Sequence, residues 1–162
     1  MRRTLWWLAL SVMVIALDQL TKFWAVLSLE FGQRIEITSF FNLVLVYNAG
    51  AAFSFLADAG GWQRWFFVAL ALGISGWLIT LIRRHAVERL LPLAASLILG
   101  GALGNVVDRV LYGAVIDFLD VHAAGYHWPA FNLADSAITL GVVFLIRQQF
   151  FGQTAAPQKP RA

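Results

Sequence analysis

Four long apolar stretches constrain the fold of this chain more than any other feature of its sequence. A helix needs about 20 mainly apolar residues to cross the hydrocarbon core of a bilayer. Stretches of that kind lie at residues 5–27, 65–82, 90–111 and 132–150. Because 60% of the residues are hydrophobic and only 13% are charged, the composition is typical of a membrane protein. The sequence therefore predicts an all-α membrane protein with four transmembrane helices in a single domain, residues 1–151.

The positive charges predict how these spans are oriented. Lysine and arginine concentrate on the cytoplasmic side of membrane proteins. In this chain they cluster before the first span, between the second and third spans, and near the C-terminus, at Arg2, Arg3, Arg83, Arg84, Arg89, Arg147, Lys159 and Arg161. We therefore expect both termini to be cytoplasmic. The same clusters account for the net charge of +3 without a nucleic-acid partner.

The first connection outside the membrane has the pattern of a small β-sheet. RIEIT at residues 34–38 alternates polar and apolar residues, and LVLVY at residues 43–47 is rich in β-branched residues. We expect an extracytoplasmic β region over residues 34–56. The small residues that follow Asn48 in YNAGAAFSF are typical either of a hairpin turn or of a loop that approaches a substrate closely. The tail, residues 152–162, is expected to be disordered.

Several polar residues lie within the apolar spans, where an ionisable group costs roughly 2.5 to 3.5 kcal/mol. Asp18 and Lys22 are four residues apart on the first span. They form either an ion pair that snorkels toward the membrane surface or part of a functional site. Asn105, Asp108 and Arg109 place three polar groups within five residues of the third span, which exceeds what anchoring requires.

Two further acids, Asp117 and Asp135, are singled out because the predicted topology brings both to the outer face. Apolar residues flank Asp117 on both sides, so we expect its carboxylate to be partly desolvated and its pKa to be raised. Asp120 is expected to be an exposed loop acid. Asp135 follows Asn132 by three residues, and taken alone it is equally well explained as part of a helix N-cap.

A pair of carboxylates in one site supports hydrolysis of a peptide bond. The two groups cannot both ionise easily, so one retains a proton while the other is charged. The charged member takes a proton from water, and the protonated member polarises the scissile carbonyl. The absence of cysteine excludes disulfides and thiol nucleophiles. His122 and His127 form no recognisable ligand motif, so we expect no metal and no cofactor.

Two other classes of protein compete with a peptidase at this point. In a small transporter, membrane carboxylates and Arg109 would relay protons across the bilayer. In a non-catalytic helical scaffold, Asp135 would serve only as a cap. The transporter is disfavoured because Asp117 and Asp135 lie at one face of the membrane and do not form a chain across it.

Five stretches of the chain occur in an order that is found in a known family. They are LDQLTK at residues 17–22, YNAGAAFS at 47–54, GGALGNVVDR at 100–109, VIDF at 115–118 and FNLADS at 131–136. In these stretches the chain resembles the lipoprotein signal peptidases, the type II signal peptidases of bacterial inner membranes. The resemblance implies an intramembrane aspartyl endopeptidase with Asp117 and Asp135 as its catalytic pair. Such an enzyme cleaves diacylglyceryl-modified prolipoproteins on the N-terminal side of the lipidated cysteine.

The resemblance also implies supporting roles for other residues of these stretches. Positions that line or support the site are Asn48, Gly50, Asn105, Asp108, Arg109, Asn132 and Ala134, and positions with a structural or positioning role are Asp18 and Lys22. It further implies a monomer without a cofactor, surrounded by membrane lipids in the inner membrane, with its active site near the outer face. The fold of the family, four transmembrane helices with a small extracytoplasmic sheet, agrees with the pattern of spans.

Overall fold

The computed structural model describes residues 1–50 and 60–151. Over these residues it contains four helices and four strands: α1 (Arg2–Ser28), β1 (Arg34–Thr38), β2 (Phe41–Asn48), α2 (Trp62–Arg84), α3 (Leu90–Tyr112), β3 (Val115–Ala123), β4 (Tyr126–His127) and α4 (Leu133–Phe151). Each of the four predicted spans coincides with one helix. The predicted disordered tail, residues 152–162, and the last part of the predicted β region, residues 51–56, lie outside the described residues.

Three helices of the described part, α1, α2 and α3, are long and apolar enough to cross a membrane. Large apolar side chains on these helices, such as Leu20, Phe23 and Trp77, are more than half exposed. That arrangement is expected where a helix faces lipid instead of water. The fourth helix, α4, has 19 residues and carries polar residues near both ends. It is not among the three that meet the length and composition criteria.

The helix α3 lies at the centre of the bundle, packed against α1, α2 and α4. Its glycines allow two of these helices to approach closely. A Cβ atom on Gly100 would lie 2.7 Å from Cβ of Val14, and one on Gly104 would lie 2.6 Å from Oδ2 of Asp18, both on α1. A Cβ atom on Gly101 would collide with the backbone of Ala134 on α4. Small residues on α3 therefore determine how closely both neighbouring helices pack.

The strands form one antiparallel sheet in the order β1-β2-β3-β4. The predicted sheet is confirmed for β1 and β2, and the connection between α3 and α4 extends it with β3 and β4. Asp117 of β3 pairs with Val46 of β2, and Val115 pairs with Asn48. The sheet packs against the end of α1 through a small apolar core, whose buried members are Ala25, Leu29, Leu45, Ile116 and Phe118.

The segment between β4 and α4 folds back onto β3. Phe131 donates its backbone N–H to the carbonyl of Leu119 at 3.0 Å and accepts the N–H of the same residue at 2.9 Å. The next residue but one, Leu133, begins α4. The middle of β3 and the start of α4 are thereby held side by side, and these are the two elements that carry Asp117 and Asp135.

Candidate active site

Asp117 lies in β3 with only 2% of its surface exposed. Its Oδ1 accepts a hydrogen bond from Nδ2 of Asn132 at 2.7 Å, and its Oδ2 accepts one from Nδ2 of Asn48 at 3.2 Å. Burial, followed by the negative charge of Asp135, raises the pKa of Asp117 to about 7 despite these two hydrogen bonds. The raised pKa that the apolar neighbours predicted is confirmed. A carboxyl group with this pKa keeps a proton for much of the time near neutral pH.

Asp135 lies in the first turn of α4 and takes part in a reciprocal cap with Asn132. Oδ1 of Asn132 accepts the backbone N–H of Asp135 at 2.9 Å, while Oδ2 of Asp135 accepts the backbone N–H of Asn132 at 3.3 Å. The predicted N-cap is therefore present. Oδ1 of Asp135 is turned to a different partner, Nδ2 of Asn105 on α3, at 2.8 Å. Capping and a place in the site are not alternatives here, because the two carboxylate oxygens have different partners.

Asn132 connects the two acids. Its side chain is fully buried. In addition to Asp117, its Nδ2 contacts Oδ1 of Asn105 at 3.3 Å and the carbonyl of Ile116 at 3.2 Å. An amide group has only two hydrogens to share among these three acceptors, and the shortest contact is the one to Asp117. Asn132 thus joins β3, α3 and α4 at the point where the two carboxylates meet.

Asp18, Lys22 and Asp108 form a group that we term the buried ion cluster. Nζ of Lys22 lies 2.8 Å from Oδ2 of Asp18 and 2.6 Å from Oδ2 of Asp108. It also donates to Oδ1 of Asn105 at 3.0 Å. Because Lys22 is only 1% exposed and contacts α3, the snorkelling interpretation of its pair with Asp18 is wrong. Asn105 links the cluster to the candidate site, because it donates to Asp135 and accepts from Asn132, which in turn donates to Asp117.

Each acid of the buried ion cluster also binds the backbone beside a candidate catalytic residue. Oδ1 of Asp18 accepts the N–H of Ala134 at 2.9 Å, one residue before Asp135. Oδ2 of Asp108 accepts the N–H of Ile116 at 3.2 Å, one residue before Asp117. The absence of a side chain at Gly104 and the small one at Ala134 leave room for these contacts.

Arg109 connects α3 to the loop that follows β2. Its Nη2 donates to the carbonyl of Gly50 at 2.9 Å, and its Nη1 donates to the carbonyl of Asn105 at 3.3 Å. The guanidinium also lies 5.1 Å from the centre of the Phe67 ring, in cation–π contact. Oδ1 of Asn48 accepts the N–H of Gly50 at 3.0 Å, which is the geometry of an Asx turn. Residues 51–55 of the predicted substrate-facing loop lie outside the described residues.

An open cavity of about 1100 Å³ holds both acids. Its polar wall includes Asn48, Gly50, Asn105 and Arg109 together with Asp117 and Asp135. Its apolar wall comes from β2, from residues 128–131 and from Ile138 and Leu140 of α4. The cavity is therefore bounded by the sheet and by α4, and both carboxylates form part of its wall. In the described part of the chain, no group of three or more histidine or acidic residues is arranged to hold a metal ion.

Asp120 differs from its prediction. It is 4% exposed and not an exposed loop acid. Nδ2 of Asn42 donates to its Oδ2 at 2.8 Å, and Nδ1 of His127 lies 2.9 Å from its Oδ1. Burial alone would raise the pKa of Asp120, but the hydrogen bonds from Asn42 and His127 outweigh it and hold the pKa below its usual value. Asn42 of β2 is 78 residues away in sequence, and His127 of β4 is seven residues away, beyond the end of β3, so the pattern of neighbouring residues gave no signal of either partner.

Gln19 is a site-supporting residue that its sequence pattern did not reveal. Its Nε2 contacts Oδ1 of Asp108 at 2.8 Å and Oδ2 of Asp18 at 3.2 Å. The only signal available was its position directly after Asp18 in LDQLTK. An amide side chain on a membrane helix is a weaker signal than an ionisable one, because its transfer cost is smaller.

Comparisons with a family model and with known proteins agree on one family. The model of the family described as signal peptidase (SPase) II matches residues 10–151. The chain is 58% identical over 156 residues to the lipoprotein signal peptidase of Azoarcus sp. (strain BH72), covering 96% of this chain and 87% of the relative. It is 60% identical over 140 residues to that of Cupriavidus taiwanensis, covering 86% of this chain and 80% of the relative.

The fold is also similar to solved structures. A bacterial membrane enzyme determined by the in meso method at 2.3 Å resolution superposes with a TM-score of 0.82 at 31% identity, covering 96% of this chain and 94% of the other. A second, at 1.9 Å resolution, gives a TM-score of 0.74 at 32% identity, with 90% and 92% of the two chains covered. The likeness extends over nearly the whole chain and includes both the helices and the sheet.

Proposed function

The chain belongs to the signal peptidase II family, whose members are aspartic peptidases, and from this premise we propose that Asp117 and Asp135 are its catalytic carboxylates. The enzyme removes signal peptides in lipoprotein maturation. The observation that carries the assignment is that both acids line one cavity and are joined through Asn132. Asp18 and Asp108 do not line this cavity and pair with Lys22 in the buried ion cluster.

The raised pKa of Asp117 assigns the resting proton to this residue. Asp135, charged, takes a proton from a water molecule as the water oxygen attacks the scissile carbonyl carbon. Asp117 gives its proton to the carbonyl oxygen, which yields a neutral gem-diol. When the C–N bond breaks, Asp135 passes its proton to the leaving nitrogen and Asp117 recovers one from a diol hydroxyl. The two acids end in their starting protonation states, and no covalent bond forms between the enzyme and the substrate.

The supporting residues hold this pair in place. Asn48 and Asn132 direct the carboxyl group of Asp117, and Asn105 directs that of Asp135. Arg109 binds Gly50 and so anchors the loop that directly follows Asn48, whose Oδ1 accepts the N–H of Gly50. Neutral amides suit this task, because a directly paired cation would hold both carboxylates in the charged state and leave no shared proton.

The proposed substrate is a diacylglyceryl-modified prolipoprotein, cleaved on the N-terminal side of its lipidated cysteine. The lining of the cavity supports this choice. It combines the two carboxylates with apolar side chains, among them Ile138 and Leu140 of α4. An apolar signal helix and acyl chains gain free energy by contact with such side chains, while the scissile bond remains at the carboxylates. One chain supplies every group named, so we propose a monomer as the working unit.

We further propose that α4 is a fourth membrane span and that both termini are cytoplasmic. The arginines between α2 and α3 and those at the N-terminus support this orientation. With four membrane spans, the C-terminus lies on the same side of the membrane as the N-terminus. The sheet and the carboxylates then lie at the outer face of the bacterial inner membrane, where a translocated lipoprotein precursor presents its modified cysteine.

Replacement of either acid by asparagine tests the catalytic assignment. Asp117→Asn and Asp135→Asn keep the size and polarity of the side chain but remove the carboxyl chemistry. We expect each variant to cleave a purified diacylglyceryl-modified prolipoprotein at least about 10³-fold more slowly than wild type. The matched control is Asp120→Asn, a buried acid of the same strand outside the cavity, which should cleave within a few-fold of wild type. Robust cleavage by both dyad variants would refute the assignment.

A further inference from the structure

Gln19 of α1 lies against the buried ion cluster on the side of α3. Its Nε2 is 2.8 Å from Oδ1 of Asp108, 3.2 Å from Oδ2 of Asp18 and 3.2 Å from the carbonyl oxygen of Gly104. An amide carries two N–H donors, so it can serve both carboxylates at once. Gln19 does not line the catalytic cavity. Any effect on the reaction must therefore pass through the groups that it binds.

The buried ion cluster contains two acids but only one lysine, and this makes each extra donor important. Asp18 and Asp108 are both fully buried and share the ammonium of Lys22. Buried charges are tolerated only when hydrogen bonds satisfy the lone pairs that the ion pair leaves over. Oδ1 of Asp108 faces Gln19, whereas its Oδ2 faces Lys22 and the backbone of Ile116. Gln19 therefore fixes the rotation of the Asp108 carboxylate about its Cβ–Cγ bond.

The rotation of these carboxylates matters because their remaining contacts reach the dyad. Asp108 accepts the N–H of Ile116, and Asp18 accepts the N–H of Ala134. These are the residues that directly precede Asp117 and Asp135. We propose that Gln19 is a positioning residue of the peptidase, which orients Asp18 and Asp108 so that they fix the backbone on which both catalytic carboxylates stand. This inference rests on the proposed catalytic role of Asp117 and Asp135.

Gln19→Leu removes both donors and keeps a side chain of similar volume on a membrane helix. We expect kcat to fall roughly 10- to 100-fold, since a small displacement of reacting groups has effects of that size. KM should change by no more than about twofold, because no group that lines the cavity is lost. The matched control is Gln149→Leu, the same substitution at an exposed position near the distal end of α4, which should leave both constants unchanged.

Hydrogen exchange separates positioning from a general loss of stability. In Gln19→Leu, the backbone amides of Ile116 and Ala134 should exchange faster than in wild type, while amides in the middle of α2 keep their protection. A uniform rise in exchange across all helices would show a merely structural role and would contradict the proposal. Wild-type kcat with unchanged exchange at Ile116 and Ala134 would also overturn it.

Gln19→Glu provides a second test if the leucine variant does not fold. As the pH rises and the introduced carboxyl loses its proton, it can no longer donate and repels Asp18 and Asp108, so we expect kcat to fall at least about tenfold below wild type at alkaline pH. As the pH falls, the introduced group gains a proton and can again donate, so the ratio of variant to wild-type activity should rise. A constant ratio near one would refute the proposal. If Asp117→Asn and Asp135→Asn are inactive while Gln19→Leu is normal, only the role of Gln19 fails.

Discussion

At the scale of single residues, the two candidate catalytic acids are distinguished by the elements on which they stand. Asp117 is enclosed in a strand, and the hydrogen bonds that its carboxylate accepts within residues 1–50 and 60–151 come from the side-chain amides of Asn132 and Asn48. Asp135 stands at a helix N-terminus, where a backbone N–H also reaches it. A helix N-terminus favours negative charge. This difference supports the proposal that Asp117 holds the proton of the pair, in agreement with the direction in which burial moves its pKa.

Asn48→Ala should shift the pH dependence of cleavage. Because the pKa of Asp117 is about 7, kcat/KM should fall as the pH rises past about 7 and the required proton is lost. The hydrogen bond from Asn48 favours the charged form and so lowers this pKa. Removal of this hydrogen bond should raise the pKa of Asp117. The alkaline limb of the kcat/KM profile should then shift to higher pH by roughly half a unit to one unit. A pH profile of kcat/KM measures the shift.

The control for this prediction is Asn42→Ala. Asn42 occupies the same strand but binds Asp120 and not Asp117. We expect the alkaline limb of the kcat/KM profile of Asn42→Ala to lie at the same pH as in wild type, even if the sheet loses some stability. An alkaline limb that moves downward in Asn48→Ala, or moves equally in both variants, would contradict the assignment of this limb to Asp117.

The two acids of β3 show what local sequence could predict and what it could not. Asp117 and Asp120 both have apolar neighbours on either side. Burial with a raised pKa was correct for Asp117, whereas exposure was wrong for Asp120. Burial raises the pKa of both acids. At Asp117 the carboxylate of Asp135 adds to this effect, whereas at Asp120 the hydrogen bonds from Asn42 and His127 outweigh it. Flanking residues indicate burial, but the sign of a pKa shift depends on partners that only the fold brings together.

At the scale of elements, the site depends on how closely α1 approaches α3. The contact brings the buried ion cluster within reach of the start of α4. A side chain at position 104 would occupy the space that now holds the carboxylate of Asp18. The helices and the first two strands were predictable, because apolar length and alternation are local properties of the sequence. The pairing of β3 with β2 was not, since it joins segments about 70 residues apart whose register no local pattern specifies.

Gly104→Ala should impair both stability and cleavage. The new methyl group would lie 2.6 Å from Oδ2 of Asp18, so either the helices separate or the carboxylate turns away from Ala134. We expect the free energy of unfolding to fall by about 1 to 3 kcal/mol. Equilibrium unfolding in mixed micelles measures this loss, and cleavage of the lipidated substrate measures the displacement of Asp135.

The matched control is Gly76→Ala in α2, where a Cβ atom would meet open space. Alanine favours helix over glycine, so this variant should be as stable as wild type or more stable by up to about 1 kcal/mol. Its cleavage rate should not change. Equal losses of stability in the two variants would show that close packing at Gly104 has no special importance.

At the scale of the whole molecule, the buried ion cluster and Asn132 join four elements at one end of the bundle. Lys22 belongs to α1, Asp108 to α3, Ile116 to β3 and Ala134 to α4. The sequence allowed the members of this network to be identified, since ionisable groups in apolar spans are costly and demand a role. Which groups pair could not be derived, because helix–helix distances follow from packing. The result is a polar site at one end and a bundle whose outer surface remains apolar.

The proposed orientation can be tested by labelling single cysteines, because the chain contains no cysteine of its own. Val87 and Tyr126 are exposed by 73% and 84%, at opposite ends of the bundle. Gln149 is exposed near the distal end of α4. A membrane-impermeant maleimide added to intact spheroplasts should label Tyr126→Cys but neither Val87→Cys nor Gln149→Cys. After permeabilisation it should label all three, and cleavage activity confirms that each variant is folded.

Each alternative topology gives a different labelling pattern in the same experiment. Labelling of Val87→Cys without Tyr126→Cys would show that the whole molecule is inverted. Labelling of Gln149→Cys together with Tyr126→Cys would show that α4 does not cross the membrane. Polar residues near both ends of α4 make its insertion less favourable than that of the other helices. We expect α4 to cross nonetheless, because Gly101 and Gly141 pack it closely against α3, and α3 is the most deeply buried of the three long apolar helices.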